Sequence, residues 1–319
     1  MINPTVRISR RRALFIGATL IGGALAPAAL AASQQIAKWR GQALGAHAEI
    51  QLAGMTMPAA RPVFRDVEAE IVRLEAIFSL YRQESALAQL NALGHLDNPP
   101  PELIALLSDA AIIHRQTDGL FDPTVQPLFA FYAAHFDAAR RGGGQPNPEA
   151  VQAVLQRVGF DKVRFDTGRV EFEQPGMALT LNGIAQGYIT DRIAALLRAR
   201  GFSNLLLDIG EIAAVGRGLE GQGWRIGVQK SVGSSDIVRT FVVSDKCVAT
   251  SMMLGTTFDT GRTAGHIIHP RLGLVSRYNK RATVIDSSAA RADALSTAAI
   301  LMDKRALETL AGSGIEIYM

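Results

Sequence analysis

Strand and helix periodicities follow one another along this chain without the strict strand–helix–strand alternation of a doubly wound parallel sheet, and that order points to an α+β fold. Residues 44–52 suit a strand, after which Val67, Ile71, Leu74, Ile77, Phe78 and Tyr81 recur at helical spacing. Pro99, Pro100 and Pro101 introduce a helix over residues 102–117 that stops at Asp118-Gly119, so residues 121–124 read as a loop. Residues 149–158 suit a short helix, Val163–Phe165 and Arg169–Phe172 a hairpin, and residues 179–181 a strand. Gly183 to Gly187 lead into a helix that runs to Arg200, and residues 205–207 begin a buried strand. The last third is mostly strands until a helix that carries Asp293.

The first 31 residues read as an export leader. Arg7, Arg10, Arg11 and Arg12 precede an uncharged apolar run over residues 13–30, and Ser9-Arg10-Arg11-Arg12-Ala13-Leu14 holds the paired arginines of a twin-arginine signal. Ala29-Leu30-Ala31 offers small residues at the cleavage spacing. Residues 32–319 are then expected to form a single domain in the periplasm, with no stable membrane span once the leader is removed. An uncleaved anchor is the alternative, but glycines, Pro27 and alanines make the run weakly apolar for a span.

Charge and cysteine usage narrow the function. The sequence has 33 Lys plus Arg against 29 Asp plus Glu, and the four leader arginines account for the whole excess. A near-neutral mature chain lacks the basic stripe that nucleic acid requires. Cys247 is the only cysteine, which rules out an internal disulfide. Gly142-Gly143-Gly144 with Pro146 and Pro148 marks a surface loop rather than a domain boundary.

Ala292-Asp293-Ala294-Leu295-Ser296-Thr297 sets a carboxylate and a hydroxyl four residues apart on one helix face. Mg²⁺ takes few protein ligands and completes its octahedron with water and phosphate oxygens, so the pair suits a phosphorylated ligand; it equally suits a helix cap. Leu181-Asn182-Gly183-Ile184-Ala185-Gln186-Gly187-Tyr188 puts small residues at a strand-to-helix turn, where backbone amides meet a ligand or where the chain simply packs tightly. It matches neither the dinucleotide fingerprint nor the P-loop. His266-Ile267-Ile268-His269-Pro270-Arg271 offers a base near neutral pH or a hydrogen-bonding loop histidine. Phe121-Asp122-Pro123-Thr124 and Val248-Ala249-Thr250-Ser251 read either as turns or as ligand contacts.

These segments, in this order, resemble the ApbE family of FAD:protein FMN transferases. The resemblance adds Ser79-Leu80-Tyr81-Arg82 with Ser85 and Leu90-Asn91, the stretch from Thr117 to Thr124, Asp208-Ile209-Gly210-Glu211, and Trp224 with Ile226-Gly227-Val228-Gln229. It spans residues 44–302, and twin-arginine export makes the chain similar to the NosX-like members. The chain departs from the usual pattern at Leu44-Gly45-Ala46 (often Met-Gly-Thr), Thr180 (often Asp), Gln186 (often Lys) and His269 (often Asp).

The resemblance implies mixed, largely antiparallel sheets flanked by helices, with two lobes around a flavin cleft. It implies an enzyme that uses Mg²⁺ to transfer FMN from FAD to a Thr or Ser hydroxyl of a target protein, releasing AMP. Asp293, Thr297 and the Gly183 carbonyl would hold the metal, and Asp293 with His266, the general base, would carry the chemistry. Tyr81, Phe121, Asp122, Thr124, Thr180, Gln186, Thr250 and Ile268 are the candidate FAD contacts. The acceptor is expected to be a flavinylated subunit of a respiratory electron-transfer complex. Rival readings are an FAD pyrophosphatase giving FMN and AMP, and a non-catalytic flavin-binding assembly factor.

Overall fold

The computed structural model describes residues 18–20, 35–139, 146–218, 221–275 and 279–319. The paired arginines, the cleavage motif and the triple glycine lie outside the described residues. Along the chain run β1 (Ala18–Leu20), β2 (Ile36–Ala43), β3 (Ala46–Ala53), α1 (Met57–Phe78), α2 (Ala86–Leu93), β4 (His95–Asp97) and α3 (Pro101–Gln116). Then come α4 (Gln126–Ala139), α5 (Pro148–Leu155), β5 (Val163–Phe165), β6 (Arg169–Phe172), α6 (Ala185–Ala199), β7 (Leu205–Asp208) and β8 (Ile212–Val215). The rest is β9 (Trp224–Gln229), β10 (Ile237–Val243), β11 (Lys246–Met252), β12 (Arg281–Asp286), α7 (Ala289–Leu301), α8 (Lys304–Ala311) and β13 (Glu316–Tyr318).

Seven strands form the central sheet in the order β13-β12-β11-β8-β7-β3-β2, every neighbour antiparallel. Side chains alternate across it as the pleat requires. Leu205, Leu207, Ala213, Val215, Cys247, Ala249 and Val284 join the main core under the helices, which includes residues of α1, α6 and α7. Leu206, Ile212, Ala214, Val248 and Ile285 point the other way, where Trp224 and Ile226 of β9 cover them. The result is a helix layer, a seven-stranded sheet, and a sheet in which β9 pairs with β10 and also with β1, a strand that falls within the expected leader. A separate ladder, β4-β6-β5, holds the expected hairpin.

Three local expectations change. Leu44 and Gly45, both at positive φ, form the tight turn between β2 and β3, so the strand expected to begin at Leu44 begins at Ala46. Ser79 leaves the helical conformation and ends α1, so Tyr81 stands outside the helical stripe and is 66% exposed. Residues 179–181 join no ladder. Asn91 substitutes for a neighbouring strand: its side chain donates to the Leu179 carbonyl (2.8 Å) and accepts from the Leu179 N–H (2.7 Å). The stop after α3 is as expected, with Gly119 at φ 72° donating back to the His114 carbonyl.

Candidate active site

The site forms around the seam between α6 and α7. Asp191 of α6 reaches across to the start of α7, accepting from the N–H groups of Ala289 (2.8 Å) and Ala290 (3.0 Å) and from the Ser288 hydroxyl (2.8 Å). A carboxylate of one helix thus satisfies the orphan donors of another and complements its positive end. Closer to the site, the helices nearly touch at Gly187. A Cβ there would lie 2.4 Å from the Ala289 carbonyl oxygen and 2.6 Å from the Ala290 Cα, an approach open only to glycine.

This packing buries Asp293 on α7 to 1% exposure. Its Oδ2 accepts a long bond from the Gly187 N–H (3.4 Å), and burial pushes its acid up to about 8. One helical turn on, the Thr297 hydroxyl lies 3.2 Å from the Ser251 hydroxyl of β11, which also meets Ser296 at 2.7 Å. A Cβ placed on Gly183 would be 3.3 Å from Thr297 Oγ1 and 3.5 Å from Phe121 Cε2. The turn before α6, the face of α7 and the loop after α3 therefore converge on one point.

That loop is clamped from behind. Asp122 accepts from the Thr124 N–H, the Thr124 hydroxyl and the Phe160 N–H, while Thr124 Oγ1 accepts from the Gly159 N–H. The Thr117 hydroxyl accepts from the Phe121 N–H, and His114 Nδ1 sits 2.8 Å from the Phe121 carbonyl oxygen. With so many bonds spent internally, Asp122 and Thr124 fix Phe121 beside Gly183. Thr180 joins the same bracket: its N–H donates to the Pro123 carbonyl and its hydroxyl accepts from the Asn182 N–H.

Four further candidates are held by contacts of their own. Thr250 pairs hydroxyl to hydroxyl with Thr283 (3.0 Å), whereas its neighbour Ser251 meets α7, because adjacent strand residues face opposite sides. Ile268 packs with Leu128, Tyr132 and Phe258 in a satellite cluster. Gln186 is buried, its amide lying over Gly210. His266 Nδ1 lies 3.0 Å from the Thr256 carbonyl oxygen and 3.3 Å from the Thr256 N–H, and burial pushes its pKa down to about 4. The ring is consequently neutral at pH 7. Ser251, Glu211 and Asp191 are the polar residues around the seam that the sequence reading left out of the site. The i to i+4 step from Gly187 to Asp191 on one helix was the available signal for Asp191.

The residues present fit a divalent cation of the Mg²⁺ kind. Asp293 is a buried carboxylate with a single weak donor; the Thr297 hydroxyl stands one helical turn on, and the Glu211 carboxylate is near enough to repel its charge. Among the described residues no group of three or more His, Cys, Asp or Glu side chains forms a metal cluster. A donor set this sparse suits an ion that keeps waters and phosphate oxygens.

The ApbE family model matches residues 44–319. An FAD:protein FMN transferase of Treponema pallidum is 30% identical over 72% of this chain and 68% of its own length. One from Haemophilus influenzae is 25% identical over 96% of this chain and 92% of its own. Among solved structures, the flavinyl transferase ApbE of Pseudomonas stutzeri in its apo form superposes with a TM-score of 0.75 at 27% identity, covering 89% of this chain and 90% of that one. The Thermotoga maritima ApbE protein gives 0.77 at 25% identity over 89% and 93%.

Proposed function

This chain belongs to the ApbE family, and from that premise we propose that it is an FAD:protein FMN transferase that works with Mg²⁺ on a protein facing the periplasm. The acceptor is a Thr or Ser hydroxyl in a flexible segment of a respiratory electron-transfer subunit. Its oxygen bonds to the FMN phosphorus as the bridging bond to the AMP phosphate breaks; AMP leaves with the bridging oxygen, and the hydroxyl proton passes to a base. Flavin transfer rests on the named activity of relatives that span nearly the whole chain. The metal, the acceptor and the compartment are inferences from the residues.

One observation carries the reading: Gly183, Thr297 and Phe121 meet at one point beside the buried, under-bonded Asp293. Asp293, Thr297 and the Gly183 carbonyl are the groups that would hold Mg²⁺, which when bound supplies positive charge for the pyrophosphate oxygens. Phe121 is the apolar wall for FAD, with Asp122, Thr124 and Thr180 acting through the bracket that holds it. Tyr81 offers a second, exposed ring. His266 is the base. Burial favours its neutral ring, and in the tautomer whose Nδ1–H donates to the Thr256 carbonyl an Nε2 lone pair is free for the acceptor proton.

The test is a labelling assay with FAD, Mg²⁺ and candidate periplasmic acceptors, read as flavin fluorescence on protein bands. Asp293→Ala is expected to abolish labelling in a folded protein, and undiminished labelling removes the metal role. Free FMN and AMP without a labelled band would identify a pyrophosphatase. Tight FAD binding with no AMP release would identify a carrier.

A further inference from the structure

Three buried side-chain oxygens among the described residues have no hydrogen-bond partner, and they belong to two residues packed at one turn: Gln186 Oε1, Glu211 Oε1 and Glu211 Oε2. Glu211 is 1% exposed and Gln186 2%. Two features hold them together. A Cβ on Gly210 would lie 2.6 Å from Gln186 Nε2 and 3.1 Å from Gln186 Oε1, so the amide rests directly over the residue that precedes Glu211. Thr190 then ties the two backbones, its hydroxyl set 2.9 Å from the Gln186 carbonyl oxygen and 3.5 Å from that of Glu211. The Thr250 N–H reaches the Glu211 carboxylate only as a contact short of a hydrogen bond.

Leaving a buried acceptor unmade costs about 1–3 kcal/mol, and more for a charged group. Native interiors rarely tolerate this for a carboxylate with both oxygens bare. Its neighbours make matters worse, since Asp293 and Asp208 are both close enough to repel its charge. No Lys or Arg is bonded to it. What the place lacks is one positive charge and a set of hard-oxygen bonds. A carboxylate and an amide carbonyl are the donors that a desolvated alkali or ammonium ion takes, and one such ion balances one carboxylate.

We propose that Glu211 and Gln186 bind a monovalent cation, K⁺, Na⁺ or NH₄⁺, at the turn between β7 and β8 behind the α6–α7 seam. The site is separate from the divalent ion proposed at Asp293 and Thr297, and it stands whether or not the protein transfers flavin. Its role is structural. It neutralises the turn against which Gln186 packs, so that Asp293 faces one buried charge fewer.

The experiment uses the full chain freed of divalent ions with chelator, at fixed ionic strength, with KCl, NaCl or NH₄Cl titrated against choline chloride while thermal unfolding is followed. At a hundredfold excess over half-saturation a single site should raise the midpoint by about 5 °C, saturably. Glu211→Gln should abolish that rise. Gln186→Lys, which brings its own ammonium, should unfold at the higher temperature in choline alone and gain nothing from K⁺. Equal midpoints in all four salts would overturn the proposal and leave a protonated Glu211. A rise that persists in Glu211→Gln would overturn it as well. So would a Mg²⁺-dependent rise that Glu211→Gln removes, because the carboxylate would then belong to the divalent site. Failure of the flavin-transfer reading shows instead as an Asp293→Ala protein that still labels its acceptor, a result independent of K⁺.

Discussion

Replacing Gly187 with Ala tests the close approach on which the site depends. The new Cβ would sit 2.4 Å from the Ala289 carbonyl oxygen and 2.6 Å from Ala290 Cα, both backbone atoms that no rotamer change can remove. Restoring even a 3.0 Å contact requires α6 and α7 to part by about 0.6 Å, the kind of overpacking that costs about 1–3 kcal/mol. Alanine's better helix propensity returns only a fraction of about 1 kcal/mol, because Gly187 lies in the first turn of α6. The net loss worked from these figures is about 1–2 kcal/mol, a fall of a few degrees in unfolding temperature for a domain of this size. Separation also lengthens the 3.4 Å bond from the Gly187 N–H to Asp293, so transfer should fall further than stability does. Urea unfolding with an unchanged m-value, alongside the labelling assay, reads both. Gly312→Ala is the control, because that residue has ordinary helical φ and its nearest atoms lie at 3.4 Å. If Gly187→Ala is as stable as the parent, or more so, the helices are not held at the distance the structure gives them.

Three further outcomes are expected. Asp191→Ala should cost about 2 kcal/mol in urea unfolding, since it strips the start of α7 of an acceptor for two backbone N–H groups and the Ser288 hydroxyl; an unchanged midpoint would contradict the cross-helix cap. Asp208 sits opposite Glu49 on β3, and burial, reinforced by that like charge, raises its pKa from 3.8 to about 7. The folded state therefore holds a proton that the unfolded state gives up near pH 4, so this group's stabilisation is present below pH 4 and is lost as pH rises through 7, by at most about 4 kcal/mol. Asp208→Asn should flatten that fall in a series of midpoints between pH 4 and 8, and an identical profile would refute the assignment. His266→Ala should lower the transfer rate while leaving FAD affinity close to the parent's, and equal losses in both would make it a binding residue.

The framework of the fold was legible wherever a pattern was long. The hairpin at residues 163–172, the helix before Gly119 and the apolar strand at residues 205–207 each appear within a residue or two of expectation, because alternation, a glycine stop and a β-rich run are local signals. Residues 179–181 were not legible in the same way. Their apolar alternation is that of a strand, yet the hydrogen bonds go to Asn91, 88 residues away, and nothing local announces a side chain standing in for a strand. The spacing of Asp293 and Thr297 correctly set both on one helix, and Phe121 does lie beside Gly183. Thr250 was chosen over Ser251 for want of the register: pairing with Thr283 turns Thr250 away from α7, and only the sheet order reveals which of two neighbouring hydroxyls faces the helix. The family resemblance makes Gln186 a candidate FAD contact, and nothing local in its segment of small residues tells where its amide turns. Gly210, at φ 88° and distant in sequence, makes the room into which that amide turns.

The carboxylates around the seam explain why so much of the surrounding structure is devoted to restraint. Burial raises the pKa of Asp191, Asp208, Glu211 and Asp293 alike, so each resists ionisation where it stands. They differ in what answers the charge. Asp191 is met by two backbone amides and a hydroxyl, and it serves the fold. Asp293 has one long bond and Glu211 has none, so these two remain able to respond to a cation. A helix pair locked by Gly187 and Asp191 keeps them from relaxing toward solvent or toward each other's donors. Under the two cation proposals, the stability forgone at Asp293 and Glu211 would be regained by protonation or by a bound cation, and binding would then be coupled to the rigidity of the surface where Phe121 and Thr297 meet.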